Sequence, residues 1–148
     1  MTDPVSIARH WLGTPYRHQA SALGAGCDCL GLIRGVWRGL YGAEPETPPP
    51  YSLDWSEPQG DERLWAAALR HLTPARDPAN GDVLLFRMRD VGVAKHLGLA
   101  ATGPHGPTFI HAMSGRGVVE SALTDPWARR IVARFTWPNT LGPDRQRT

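Results

Sequence analysis

Cys29 lies in the run Gly26-Cys27-Asp28-Cys29-Leu30-Gly31-Leu32, and two histidines follow in short apolar runs, Lys95-His96-Leu97-Gly98-Leu99 and Phe109-Ile110-His111-Ala112. A thiol is a useful nucleophile only as thiolate. A helix N-terminus and a nearby imidazole are the two devices that ionise it near neutral pH. Asp28 is a good helix-capping type, which leaves Cys29 at the first helical position with the dipole aimed at its sulfur. Cys29 is therefore the candidate nucleophile and His96 the candidate general base. His111 is a polar ring in an otherwise buried-looking strand and needs a partner; orienting His96 provides one. Read singly, each is more simply a packed core residue. Read together, they describe a cysteine hydrolase or an acyl-transfer enzyme.

The neighbouring candidates are weaker. Cys27 precedes the cap and lacks the dipole, so it reads as packing, and a Cys27–Cys29 disulfide would be strained at that separation. His10, His71 and His105 read as surface residues. His18 is ambiguous, because its loop must pass near Cys29. Cys27, Cys29 and a histidine are zinc-ligand types, but structural sites usually space their cysteines by two residues, and there is no second cysteine pair. No metal and no cofactor is expected, and no phosphate-binding glycine loop occurs.

These residues need elements to hold them. Asp3-Pro4 followed by Val5, Ala8, Trp11 and Leu12 predicts a short capped helix that Gly13 stops. Residues 14 to 26 read as an irregular loop. Leu32, Ile33, Val36, Trp37, Leu40 and Tyr41 form an apolar stripe with Arg34 and Arg38 on the other face, and Gly42 ends that helix. Cys29, four residues before Ile33, points to the buried side. Glu44 to Gln59 is proline-rich and reads as an ordered surface loop, a candidate lid. Leu64, Trp65, Ala68, Leu69 and Leu72 predict another helix, closed by Pro74 and Pro78. The period then shifts to short strands at 82–86, 96–100, 108–112, 117–120 and 131–137. Helices followed by closely connected strands predict an α+β fold with an antiparallel sheet. The whole chain reads as one domain with a core from about 4 to 138 and a loosely held tail at 139–148.

The bulk composition narrows the function classes. The 148 residues are 41% apolar and 20% charged, a globular balance rather than a disordered one. A net charge of +2 with no Lys/Arg run argues against nucleic acid as the partner. No run of eighteen apolar residues predicts a membrane span. The first thirteen residues do not read as a signal peptide, so synthesis in a reducing cytoplasm is expected.

Five segments, in order, resemble the NlpC-type cell-wall cysteine peptidases, a papain-like family. They are Leu12-Gly13-Thr14-Pro15-Tyr16, the Gly26–Leu32 turn, Asn80-Gly81-Asp82-Val83-Leu84-Leu85-Phe86, Lys95–Leu99 and Phe109–Ala112. The resemblance spans Trp11 to Trp137. It implies a papain-like fold, with the nucleophile helix packed on the sheet, and a Cys29–His96–His111 triad. It implies hydrolysis of peptidoglycan stem-peptide amide bonds, typically after γ-linked D-glutamate. It places Tyr16 beside the thiol and Asp28 facing the substrate, where it could pair with a free amine. Leu30 stands where the family usually has Ser, and Arg17-His18-Gln19 replaces an aromatic-glycine segment. The Pro15–Gln19 and Gly26–Gly31 combination resembles the subgroup encoded beside phage tail genes and in gene transfer agents. That implies tail-tip protein partners and a virion-borne enzyme carried to the periplasmic wall. Three alternatives stay open: a tail component with a decayed site, a cysteine acyltransferase or amidase on the same fold, and a zinc-binding interaction module.

Overall fold

The computed structural model describes residues 3–46, 62–89 and 92–138. Helix α1 (Pro4–His10) starts as its sequence requires: Asp3 accepts hydrogen bonds from the Ser6 amide and hydroxyl, and proline occupies the first turn. The chain then makes a two-stranded hairpin, β1 (Ser21–Ala22) and β2 (Gly26–Cys27), inside the segment expected to be irregular. Helix α2 (Cys29–Tyr41) follows directly, and Gly42, at φ +92°, ends it. Helix α3 (Arg63–His71) precedes β3 (Thr73–Pro74), so Pro74 lies in a strand rather than merely closing a helix.

The rest is sheet: β4 (Val83–Arg87), β5 (Ala94–Gly103), β6 (Gly106–Met113), β7 (Gly117–Ala122) and β8 (Ile131–Thr136). With β3 they form one six-stranded antiparallel sheet in the order β3-β8-β4-β5-β6-β7. The α+β expectation with an antiparallel sheet holds. A short helix, α4 (Asp125–Ala128), sits between β7 and β8 and carries no apolar stripe long enough to announce it in sequence.

The apolar stripes bury where their periods point. Leu32 and Val36 of α2 pack with Ala8 and Trp11 against Leu99, Ala101, Ile110 and Ala112 of the sheet. Ile33 and Cys29 join Leu64 and Ala68 of α3 over Val83, Leu85, Leu97 and Phe135. A separate cluster, Leu84, Phe86, Ala100 and Phe109, is covered by Trp127 and Leu123. Two glycines allow the close approach of neighbours to α2. A Cβ at Gly35 would lie 2.1 Å from the Trp11 ring, and one at Gly31 would lie 1.8 Å from the Ala20 carbonyl oxygen.

The candidate proline-rich lid lies mostly outside the described residues, as does the tail at 139–148. Glu44, at the start of the lid segment, bridges Arg34 and Arg38 of α2.

Candidate active site

Cys29 occupies the first position of α2, as its sequence context demands. Asp28 is the N-cap, and its Oδ1 accepts the Gly31 amide at 2.7 Å. Its Oδ2 accepts the Gln19 amide at 2.7 Å. Gln19 takes φ +67°, an uncommon conformation for a side-chain-bearing residue, at the point where its amide turns in to Asp28. Asp28 is 3% exposed, so the carboxylate is part of the loop's framework as well as of the cleft wall.

Tyr16 is fixed by the same framework. It bridges Cys27 in parallel pairing, between the Cys27 N–H to Pro15 carbonyl bond and the Arg17 N–H to Cys27 carbonyl bond, each 3.0 Å. Burial, with Cys29 and Asp28 nearby, pushes the Tyr16 phenol up to about 12, so its hydroxyl stays a donor. Cys27 itself is fully buried in the α1–α2 core, as its packing reading requires, and both cysteines are free thiols.

His96 reaches the cleft that Cys29 lines through an irregularity of β5. Phe86 of β4 pairs with His96 and the next residue, Arg87, pairs with Ala94, so Lys95 is an extra residue, a β-bulge. A bulge breaks the alternation of a strand and re-aims its side chains. Ala94 and Leu97, three apart, thereby both face the helix-side core. Lys95 and His96, adjacent in sequence, both line the cleft that Cys29 lines. The Cys29 sulfur meets this same strand, 3.8 Å from the Lys95 carbonyl oxygen.

His111 is wholly buried one strand over, and its Nδ1 lies 2.9 Å from His96 Nε2. Its other nitrogen, Nε2, lies 3.0 Å from Ser121 Oγ. Trp127 packs across both rings, with centroids 5.9 Å from His96 and 5.3 Å from His111, and leans on Phe86 and Phe109. The described residues thus bring Cys29, Tyr16, Asp28 and His96 to one cleft of about 190 Å³, with His111 behind His96. His18 also reaches this cleft, its Nδ1 3.9 Å from Asp28 Oδ2, which resolves its ambiguous placement. His10 and His105 are exposed, and His71 is half-buried against Glu46.

Ser121, Trp127 and the cleft residues Met88 and Met113 were not foreseen. No sequence signal marks them, because each is brought in by strand register or by α4. Leu30 lines an apolar hollow of about 330 Å³ between α2 and α3 rather than the cleft. Among the described residues, no cluster of three or more His, Cys, Asp or Glu is arranged to hold a metal ion.

Burial works against the ionisation expected of a helix-start thiol. Burial, aided by the Asp28 charge, pushes the Cys29 thiol up to about 12, although the Leu97 and Leu30 amides favour the thiolate. Burial pushes the His96 imidazole down to about 4. Desolvation thus favours the neutral thiol and the neutral imidazole, against the pull of the helix N-terminus and the two amides.

The family model of the NlpC/P60 family matches residues 13–136. The solved structures similar to this chain include the NlpC/p60 domain of the peptidoglycan hydrolase SagA, at 20% identity and a TM-score of 0.59, covering 90% of this chain and 95% of that one. A Staphylococcus aureus NLP/P60 family protein described as similar to lipoprotein matches at 16% identity and a TM-score of 0.61, covering 93% of this chain and 41% of the other. A Bacillus cereus NlpC/P60 family protein matches at 19% identity and a TM-score of 0.62, covering 91% and 39%. This chain thus spans about two-fifths of the length of those last two proteins. No curated protein sequence matches it. With a family model spanning most of its length over a papain-like arrangement of helices and antiparallel sheet, the chain belongs to the NlpC/P60 family.

Proposed function

We propose that the chain is a cysteine peptidase that hydrolyses stem-peptide amide bonds of peptidoglycan. The observation that carries this reading is the cleft itself: Cys29 at the first turn of α2 and His96, hydrogen-bonded to His111, line the same small hollow. Burial favours the neutral pair, so the proton moves during attack. The Cys29 sulfur adds to the scissile carbonyl as its proton passes to His96. His96 then gives that proton to the leaving amine, and the acyl group stays on sulfur. Water, deprotonated by His96, attacks the thioester and releases the acid. The Cys29 backbone N–H, one of the unpaired amides at the helix start, faces the developing oxyanion, and the Tyr16 hydroxyl is the second donor. His111 fixes the orientation of His96. Asp28, with His18 beside it, is the acidic wall for a substrate amine.

Digestion of purified peptidoglycan, with the new termini identified by mass spectrometry, tests the reading. Cys29→Ala abolishes cleavage with the fold retained, and Cys27→Ala leaves cleavage intact. Equal loss from both substitutions refutes the assignment. A transferred acyl group in place of a new carboxylate identifies an acyltransferase.

Delivery on a phage-like tail or a gene transfer agent, to a cell wall reached from outside, is the companion proposal. Its support is the similarity of the Pro15–Gln19 and Gly26–Gly31 segments to that subgroup. It places the protein with tail-tip partners in assembled particles. Proteomics of purified particles tests it, and particles without the chain refute it.

A further inference from the structure

We propose that Ser121 is a positioning residue that sets the proton arrangement of the histidine pair, and so keeps His96 able to act as a base. The inference rests on the peptidase reading above. It deepens that reading by adding a group beyond Cys29, His96 and His111.

The argument is one of counting protons along a chain of three groups. His96 Nε2 faces His111 Nδ1 at 2.9 Å, and His111 Nε2 faces Ser121 Oγ at 3.0 Å. Each neutral imidazole carries one N–H and one lone pair. Two arrangements satisfy the chain. In the first, His96 Nε2–H donates to His111 Nδ1 and His111 Nε2–H donates to Ser121 Oγ. His96 then keeps its Nδ1 lone pair for the cleft shared with Cys29. In the second, every bond is reversed, and His96 turns an N–H toward the cleft. Only the first can take a proton from a thiol. It is also the better resting arrangement, since sulfur is a weak acceptor while an imidazole lone pair is a strong one.

Without an oxygen at 121 the first arrangement fails, because His111 Nε2–H would be left buried and unpaired, at a cost of about 1–3 kcal/mol. The second arrangement would then leave only a lone pair unsatisfied there. The fold holds Ser121 in place by strand register. Phe109 pairs with Ser121 and His111 with Val119, so Ser121 stands diagonally across from His111 on the same sheet face. Trp127 packs near both rings, with centroids 5.9 Å from His96 and 5.3 Å from His111.

Nitrogen-15 NMR of histidine-labelled full-length protein reads the arrangement directly, with His96→Gln and His111→Gln for assignment. In the wild type both Nε2 atoms carry the proton and both Nδ1 atoms are bare. Ser121→Ala moves proton density onto the Nδ1 atoms. It lowers kcat on muropeptides about 10-fold, in the range of orienting partners, with KM little changed, and Ser121→Thr restores both. A wild-type spectrum with His111 Nδ1 protonated overturns the proposal. So does Ser121→Ala with unchanged tautomers and unchanged kcat. Should Ser121→Ala not fold, the wild-type spectrum decides. The spectrum does not depend on turnover, so a protein with these tautomers but no hydrolysis sinks the peptidase reading while the tautomer assignment stands.

Discussion

Acidification should destabilise this fold through its two buried histidines, and the size of the effect follows from where each titrates. Burial holds His96 near 4. His111 is pushed down to about 3 by burial, then by the neighbouring His96 and by Arg116. Both lie below the ordinary value of 6.5, so between pH 6.5 and 4 the unfolded chain binds protons that the folded one refuses. Stability then rises with pH in that window and is lost on acidification. At pH 5 both rings are still neutral in the fold and mostly charged in the unfolded chain. Each therefore contributes about 2 kcal/mol of lost stability between pH 7 and pH 5. This figure depends on the unfolded value and requires only that the folded one stay well under 5. Urea unfolding at pH 5, 6 and 7 measures it. His111→Gln should show a pH dependence shallower by about 2 kcal/mol over that range, with the carboxylates common to both proteins cancelling. Parallel pH slopes for wild type and variant would refute the claim that His111 is held neutral by its site.

The same logic extends to the thiol. Iodoacetamide labelling of Cys29 should accelerate with pH through 9 without a plateau between 6 and 8; a rate already constant at pH 6 means a preformed thiolate. Gly31→Ala places a Cβ 1.8 Å from the Ala20 carbonyl oxygen, so the hairpin must shift from α2, with about 3 kcal/mol lost in urea unfolding; a loss under about 1 kcal/mol contradicts the packing described. Trp127→Ala should cost about 2 kcal/mol, below the range for a fully buried Trp, and should lower kcat more than it raises KM, because the histidine pair loses its cover. Unchanged kcat would show that α4 has no part in holding the rings.

The amino-acid sequence by itself determined the helix that begins at Cys29. Asp28, Cys29, the stripe from Leu32 to Tyr41 and the stop at Gly42 are local signals, read from side-chain type and period, and α2 spans those bounds. The change of period after residue 82 likewise marked the strands of the antiparallel sheet, and the pairing of His111 with His96 followed from the need of a buried polar ring for a partner. Tertiary structure decided what depends on more than one segment. The bulge at Lys95 exists only in the pairing of β4 with β5, yet it delivers His96 to the cleft. Ser121 meets His111 through the register of β6 on β7, and Trp127 arrives on a single turn of helix too short to be periodic. Capping and dipole are properties of one helix, whereas desolvation sums over every group packed around Cys29 and His96 and pushes both toward their neutral forms, so only the packed structure shows it.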